Sequence, residues 1–320
     1  MNKFLILIAS FFIMSYLSYG YAQHNENDIV QTPYTEKIKV VTSFYPIYKI
    51  AKEIGGDNII VTSVIPFGSQ PHDWEITPQK VSEIKEADMI IYNGIGFDAW
   101  LGDDGQFYDS FLVDVSKGLH LIKINQEELE KVRHDNHNGH EFRYDPHIWL
   151  DPVLVKNISK TISNAFVKFD PHNTNSYLQN TEYFIQQLDN LDFLIKTTLD
   201  NCELSDFITF HESFSYFANR YGLTQHSIQN LPSEGEILPQ QITKIISLAK
   251  SLGIDTIYSE ELKDQRLSQI LASEIPNGKV LLLSPIEGSN NQEEQQNQNG
   301  GYIDKMHMNL ENLKQGLKCE

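Results

Sequence analysis

An α/β architecture follows from three features of this 320-residue chain: two parallel-sheet lobes with helices on both faces, joined by a long rigid helix. Short apolar runs rich in β-branched residues alternate with stretches of helical spacing, the pattern of strands covered by helices on both faces. That alternation gives way near residue 170 to a stretch, 173–199, with no interior Gly or Pro, and then it begins again. A helix of that span would be about 40 Å long, enough to reach from one lobe to the other. The chain is also long enough for two lobes of ordinary domain size. The expected organisation is an export signal at 1–22, a polar leader at 23–35, an N-terminal lobe at 36–170, a linking helix at 171–200 and a C-terminal lobe at 201–320.

Each element has its own signal. Ile38 to Phe44 reads as a strand, and Tyr45 to Ile54 has helical spacing that stops at Gly55-Gly56. Ile59 to Ile65 is a second strand, followed by a Pro/Gly/Ser loop carrying His72. Pro78 sits where proline is favoured, at the first turn of a helix running to about Ala87. Met89 to Tyr92 and Val113 to Ser116 complete the first set of strands, and Gln126 to Tyr144 is a charged loop. Beyond the octapeptide Asp145-Pro146-His147-Ile148-Trp149-Leu150-Asp151-Pro152 come helical stretches at 153–169 and 173–199. The restart consists of a strand at Phe207 to Phe210, a helix at Phe214 to Tyr221, and a helix opened by Pro239 with its apolar face from Ile242 to Leu252. Strands at Ile254 to Tyr258 and Val280 to Leu283 and a helix at Tyr302 to Leu317 close the chain. Asn290 to Gly301 is low-complexity Gln/Asn/Glu and reads as a loop.

Composition narrows the function. Hydrophobic residues make up 40% and aromatics 11%, which supports packed cores, and the net charge of −18 argues against binding a phosphate backbone. Lys3, the apolar run Phe4 to Met14 and the small-x-small Gly20-Tyr21-Ala22 form an export signal, with an uncleaved membrane anchor as the alternative. No cysteine follows it, which argues against a lipid anchor. In an exported chain the two cysteines, Cys202 and Cys319, are expected to be joined in one disulfide.

Three histidines carry the chemistry. His72 and His211 lie just past expected strands, and His147 sits in the proline-bounded octapeptide, where Asp145 and Asp151 could orient its ring. In open α/β sheets ligands bind beyond the carboxyl ends of the strands, so imidazoles there in both lobes can converge on a cleft. Such a set suits Zn²⁺, and also copper, nickel or iron, rather than Ca²⁺ or Mg²⁺. The wide spacing matches no local zinc signature. His134, His137 and His140, with Asp135 and Glu141, form a second cluster in the charged loop, either a weak metal gatherer or an ordinary solvated segment. His120, His172, His226 and His307 read as structural or surface residues.

The motifs TSFYPIYKIAKEIGG, PHDWEITPQKVSEIKEADMIIYNG, DPHIWLDP, FHESFSYFANRYGL, IYSEEL and NLENLKQGL, in that order, resemble the metal-binding solute receptors of ABC importers. The resemblance covers nearly everything after the leader. It implies two lobes with a rigid linking helix, a metal in the cleft, an ABC permease as partner, an extracytoplasmic location, a monomer and no enzymatic activity. By position it makes His72, His147 and His211 metal ligands, with histidine in the third place favouring Zn²⁺ over Mn²⁺. The family's usual fourth ligand, an aspartate, falls on Ser284, a poor zinc ligand. Glu287, three residues on, is the expected substitute, with Glu260 or water as alternatives. Two rival functions stay open: a zinc hydrolase using the same histidines with Glu260 or Glu287 as base, and an extracellular adhesion or interaction protein.

Overall fold

The first four strands form one parallel sheet: β1 Ile38–Thr42, β2 Ile59–Ser63, β3 Met89–Tyr92 and β4 Phe111–Asp114, in the order β2-β1-β3-β4. The second sheet repeats this order as β6-β5-β7-β8, with β5 Asp206–His211, β6 Thr224–Gln229, β7 Thr256–Ser259 and β8 Lys279–Leu282, all parallel. The strand order reverses beside β1 and beside β5, which opens a crevice at the carboxyl edge of each sheet. The computed structural model describes residues 37–72, 74–102, 109–124, 143–229, 237–289 and 301–320. The expected signal and leader, His134, His137, His140, Asp135 and Glu141, and all but the last residue of the 290–301 segment lie outside the described residues.

Eight α-helices are described: α1 Tyr45–Gly55, α2 Pro78–Lys85, α3 Pro152–Phe169, α4 Thr174–Leu199, α5 Ser215–Tyr221, α6 Pro239–Leu252, α7 Gln265–Ser273 and α8 Tyr302–Gly316. Proline opens α1, α2, α3 and α6 at the first turn, where its missing N–H costs no hydrogen bond. Two elements carry no clear sequence signal. β6, TQHSIQ, is a polar edge strand, and α7 is short with a polar start. β4 also begins two residues before its expected place, because Val115 to Gly118 form the turn that ends it.

α4 is the linking helix. Tyr177, Thr181, Phe184, Leu188, Leu191, Ile195 and Leu199 bury one stripe at spacings of three and four. It packs on α1 and α3 of the first lobe and on α8 of the second. One hydrophobic core therefore runs through both lobes, from Ile50 and Trp149 through Phe184 to Phe207 and Leu310. A satellite core around Ile208, Ile245 and Leu271 lies within the second lobe.

Polar contacts also cross between the lobes. The Tyr302 hydroxyl donates to the Trp149 carbonyl at 2.9 Å, and the Tyr216 hydroxyl donates to the Asp145 carbonyl at 2.9 Å. Tyr216 also accepts the Ile122 N–H at 3.1 Å, and Arg220 Nε meets Asp151 Oδ1 at 2.5 Å. A disulfide joins Cys202 to Cys319, tying the start of the second lobe to the chain's end. No helix among the described residues is long and apolar enough to cross a membrane.

Candidate metal centre

Four side chains meet in the cleft: His72, His147, His211 and Glu287, each offering a donor atom within 4.8 Å of the others. His72 follows β2, His211 is the last residue of β5, and Glu287 lies in the loop after β8. His147 opens the 3-10 turn Ile148–Leu150 that leads into α3. The Nε2 atoms of all three histidines lie 3.3 Å from Glu287 Oε1. Four donors set about 2.0–2.1 Å from a central ion in a tetrahedron are about 3.3–3.4 Å apart, so the three spacings from Glu287 match the edges that meet at one corner of such a tetrahedron.

Two of the imidazoles are held twice by a single carboxylate oxygen. Asp145 Oδ1 accepts the His147 Nδ1–H at 2.8 Å and the His147 backbone N–H at 2.9 Å. Glu260 Oε1 does the same for His211, at 2.8 and 3.3 Å. A proton held on Nδ1 leaves the lone pair on Nε2, aimed at the centre. His147 Nε2 and His211 Nε2 are buried without a hydrogen-bond partner, although buried polar atoms are ordinarily satisfied.

Glu287 reaches the centre through a turn that depends on Ser284. The Ser284 hydroxyl accepts the Ile286 N–H at 3.1 Å, and Ile286 takes a left-handed φ of 58°. The Trp149 indole donates to the Pro285 carbonyl at 2.7 Å, and Asn309 bonds both the N–H and the carbonyl of Ser284 at 2.7 Å. Ser284 is thus a scaffold for the loop rather than a member of the cluster. Of the expected candidates, Glu260 stands beside the cluster, bonded to His211. Of the two aspartates, Asp145 alone orients His147; Asp151 instead caps α3, accepting from Val153 N–H at 2.8 Å, and pairs with Arg220. His120, His172 and His307 are exposed, and His226 pairs with Asp206 at 2.7 Å.

The electrostatics are those of a charge-balanced cluster. Burial alone would push the Glu287 carboxyl up, but the surrounding imidazoles outweigh it and hold the group well below the usual carboxylate range. Burial opposes a charge on His147 and His211, yet Asp145, Glu260 and Glu287 prevail and raise both imidazoles. His72 goes the other way, because burial dominates its attraction to Glu287 and lowers it. Protons and a metal therefore compete for the same nitrogens.

Two α/β lobes around buried imidazoles and a carboxylate make this a metal-binding receptor of the two-lobed, helix-linked class. Comparison with known proteins narrows that class. The model of the family "Zinc-uptake complex component A periplasmic", ZnuA, matches residues 40–316. The high-affinity zinc uptake system protein ZnuA of Bacillus subtilis is 38% identical over 286 residues, covering 88% of each chain. The zinc-binding protein AdcA of Streptococcus pyogenes is 31% identical, with this chain spanning 56% of its length. Among solved structures, the metal-dependent lipoprotein YcdH of Bacillus subtilis is 36% identical, covering 88% of this chain and 99% of its own, with a TM-score of 0.73. The laminin-binding protein of Streptococcus agalactiae, described as an adhesin with metal-transporting activity, is 28% identical over 88% of this chain and all of its own, at a TM-score of 0.76. The chain belongs to the ZnuA family, a family of uptake components rather than of enzymes.

Proposed function

We propose that this protein captures one Zn²⁺ in the cleft, through Nε2 of His72, His147 and His211 and Oε1 of Glu287, and delivers it to an ABC permease. The equal 3.3 Å spacing of three imidazole nitrogens about one carboxylate oxygen is the observation that carries this reading. A nitrogen-rich tetrahedron suits Zn²⁺ better than Mn²⁺, which favours more oxygen ligands. Acting outside the cytoplasm, with residues 1–22 as its export signal, would suit the periplasmic and lipoprotein character of its relatives. His134, His137 and His140 would at most gather metal weakly for the ordered centre.

The test is metal analysis of protein purified without chelator, followed by competition titration. One zinc per chain is expected. Replacing His72, His147 or His211 by Ala should weaken binding by more than about 100-fold, a larger loss than the 10–100-fold typical of outer-shell partners. Replacing His134, His137 and His140 together should leave the tight site within about threefold. Equal losses in both sets, or no bound zinc in the parent, would overturn the assignment.

A further inference from the structure

His147 and His211 have carboxylates on their second ring nitrogens, but among the described residues nothing takes Nδ1 of His72. Its ring touches Phe97 at 5.3 Å between centroids, and it is the most exposed of the three imidazoles. The position of His72 must therefore come from its loop. That loop is gripped from the opposite lobe: Gln70 Nε2 donates to the Leu262 carbonyl at 2.9 Å, and the Phe67 carbonyl accepts the Ser289 N–H at 2.9 Å.

The segment that receives Gln70 is tied to the rest of the site. Glu260 holds His211, and Glu261 accepts from the buried Lys305 ammonium of α8 at 2.8 Å. The Leu262 side chain lies against Gly288, where a Cβ would meet Leu262 Cδ1 at 2.7 Å. Three consecutive residues thus fix His211, anchor to α8, and receive the loop bearing His72.

We propose that Gln70 is a positioning residue: its amide clasps the His72 loop to Leu262 and so sets His72 as the donor that closes the tetrahedron. Breaking the clasp leaves three donors in place and frees the fourth. The metal is then held more loosely and in a higher, water-completed coordination. This rests on the receptor reading above.

The experiment uses Co²⁺ as a spectroscopic probe and zinc release into excess chelator as a kinetic one, on the full chain. The variants are Gln70→Ala and Gln70→Glu; the latter keeps the length and loses the donor. Both should melt within about 2 °C of the parent in the metal-free state. Both should release zinc at least tenfold faster, and their visible Co²⁺ absorption should fall from tetrahedral intensity towards that of His72→Ala. Parent-like spectra and release rates in both variants, with a parent that binds Co²⁺ tetrahedrally, would overturn the clasp alone. A parent that takes up neither metal would overturn the receptor reading, and the clasp with it.

Discussion

Single carboxylate oxygens set the geometry of the centre, and the two glutamates differ in kind. Glu287 faces three imidazole nitrogens, whereas Glu260 meets His211 only at Nδ1 and the backbone. Glu287→Gln should therefore weaken zinc binding by more than about 100-fold, while Glu260→Gln should cost about 10–100-fold. Matched titrations at one pH decide it; a larger loss in Glu260→Gln would exchange their roles. This distinction was not legible in the chain, where both glutamates follow second-lobe strands and only the fold shows which one His211 occupies. Elsewhere in the first lobe, burial pushes the Asp98 carboxyl up to about 7, against the bond it accepts from the Gly94 N–H at 2.7 Å. A carboxyl raised from 3.8 favours the folded state while protonated. That contribution is whole below pH 3.8 and is lost as pH rises to about 7. Asp98→Asn keeps an acceptor for Gly94 and removes the ionisation. Its stability relative to the parent should rise from pH 5 to pH 8, by at most about 3 kcal/mol, in paired denaturant titrations. A difference independent of pH would show that Asp98 is ionised throughout.

At the scale of elements, loops from opposite lobes approach so closely that glycine is required between them. A Cβ on Gly288 would stand 2.3 Å from the Phe67 carbonyl oxygen, a backbone atom with little room to move. Gly288→Ala should cost about 1–3 kcal/mol through overpacking. It should also weaken zinc binding at least tenfold, because the strain falls beside Glu287. Gly68→Ala, with nothing within 4 Å of its Cβ, is the control and should stay within about 0.5 kcal/mol. Melting and zinc titration of the pair check this, and a silent Gly288→Ala would mean that the loops part freely. Strands were readable where β-branched apolar runs stand out, as at β1 and β3, and helices where apolar spacing and proline coincide, as at α3 and α6. β6 was not, because an edge strand such as Thr224–Gln229 has one buried residue and no alternation. The route by which Glu287 reaches the cluster was equally hidden, since it depends on a left-handed Ile286 that no residue type announces.

Over the whole molecule, α4 holds the two sheets in one relation, and the disulfide closes the second lobe that packs on it. The long helix was legible from its uninterrupted span, but the sharing of one core was not, because it depends on which stripe of α4 faces each lobe. With the main core continuous through both lobes, unfolding either lobe alone would expose the buried faces of α1, α3 and α8 against α4. Thermal unfolding should therefore be a single transition, with calorimetric and van't Hoff enthalpies in agreement. Cys202 and Cys319 close the second lobe across a sequence separation of 117 residues. In the chain-entropy account a loop of that length restricts the unfolded chain by about 5 kcal/mol. Because the transition is shared, that gain should reach the whole molecule rather than the second lobe alone. The reduced protein should melt about 5–10 °C lower, still in one step. Two resolved transitions on reduction, with the first lobe unmoved, would show that the lobes are stabilised separately and that α4 couples them less than its buried stripe implies.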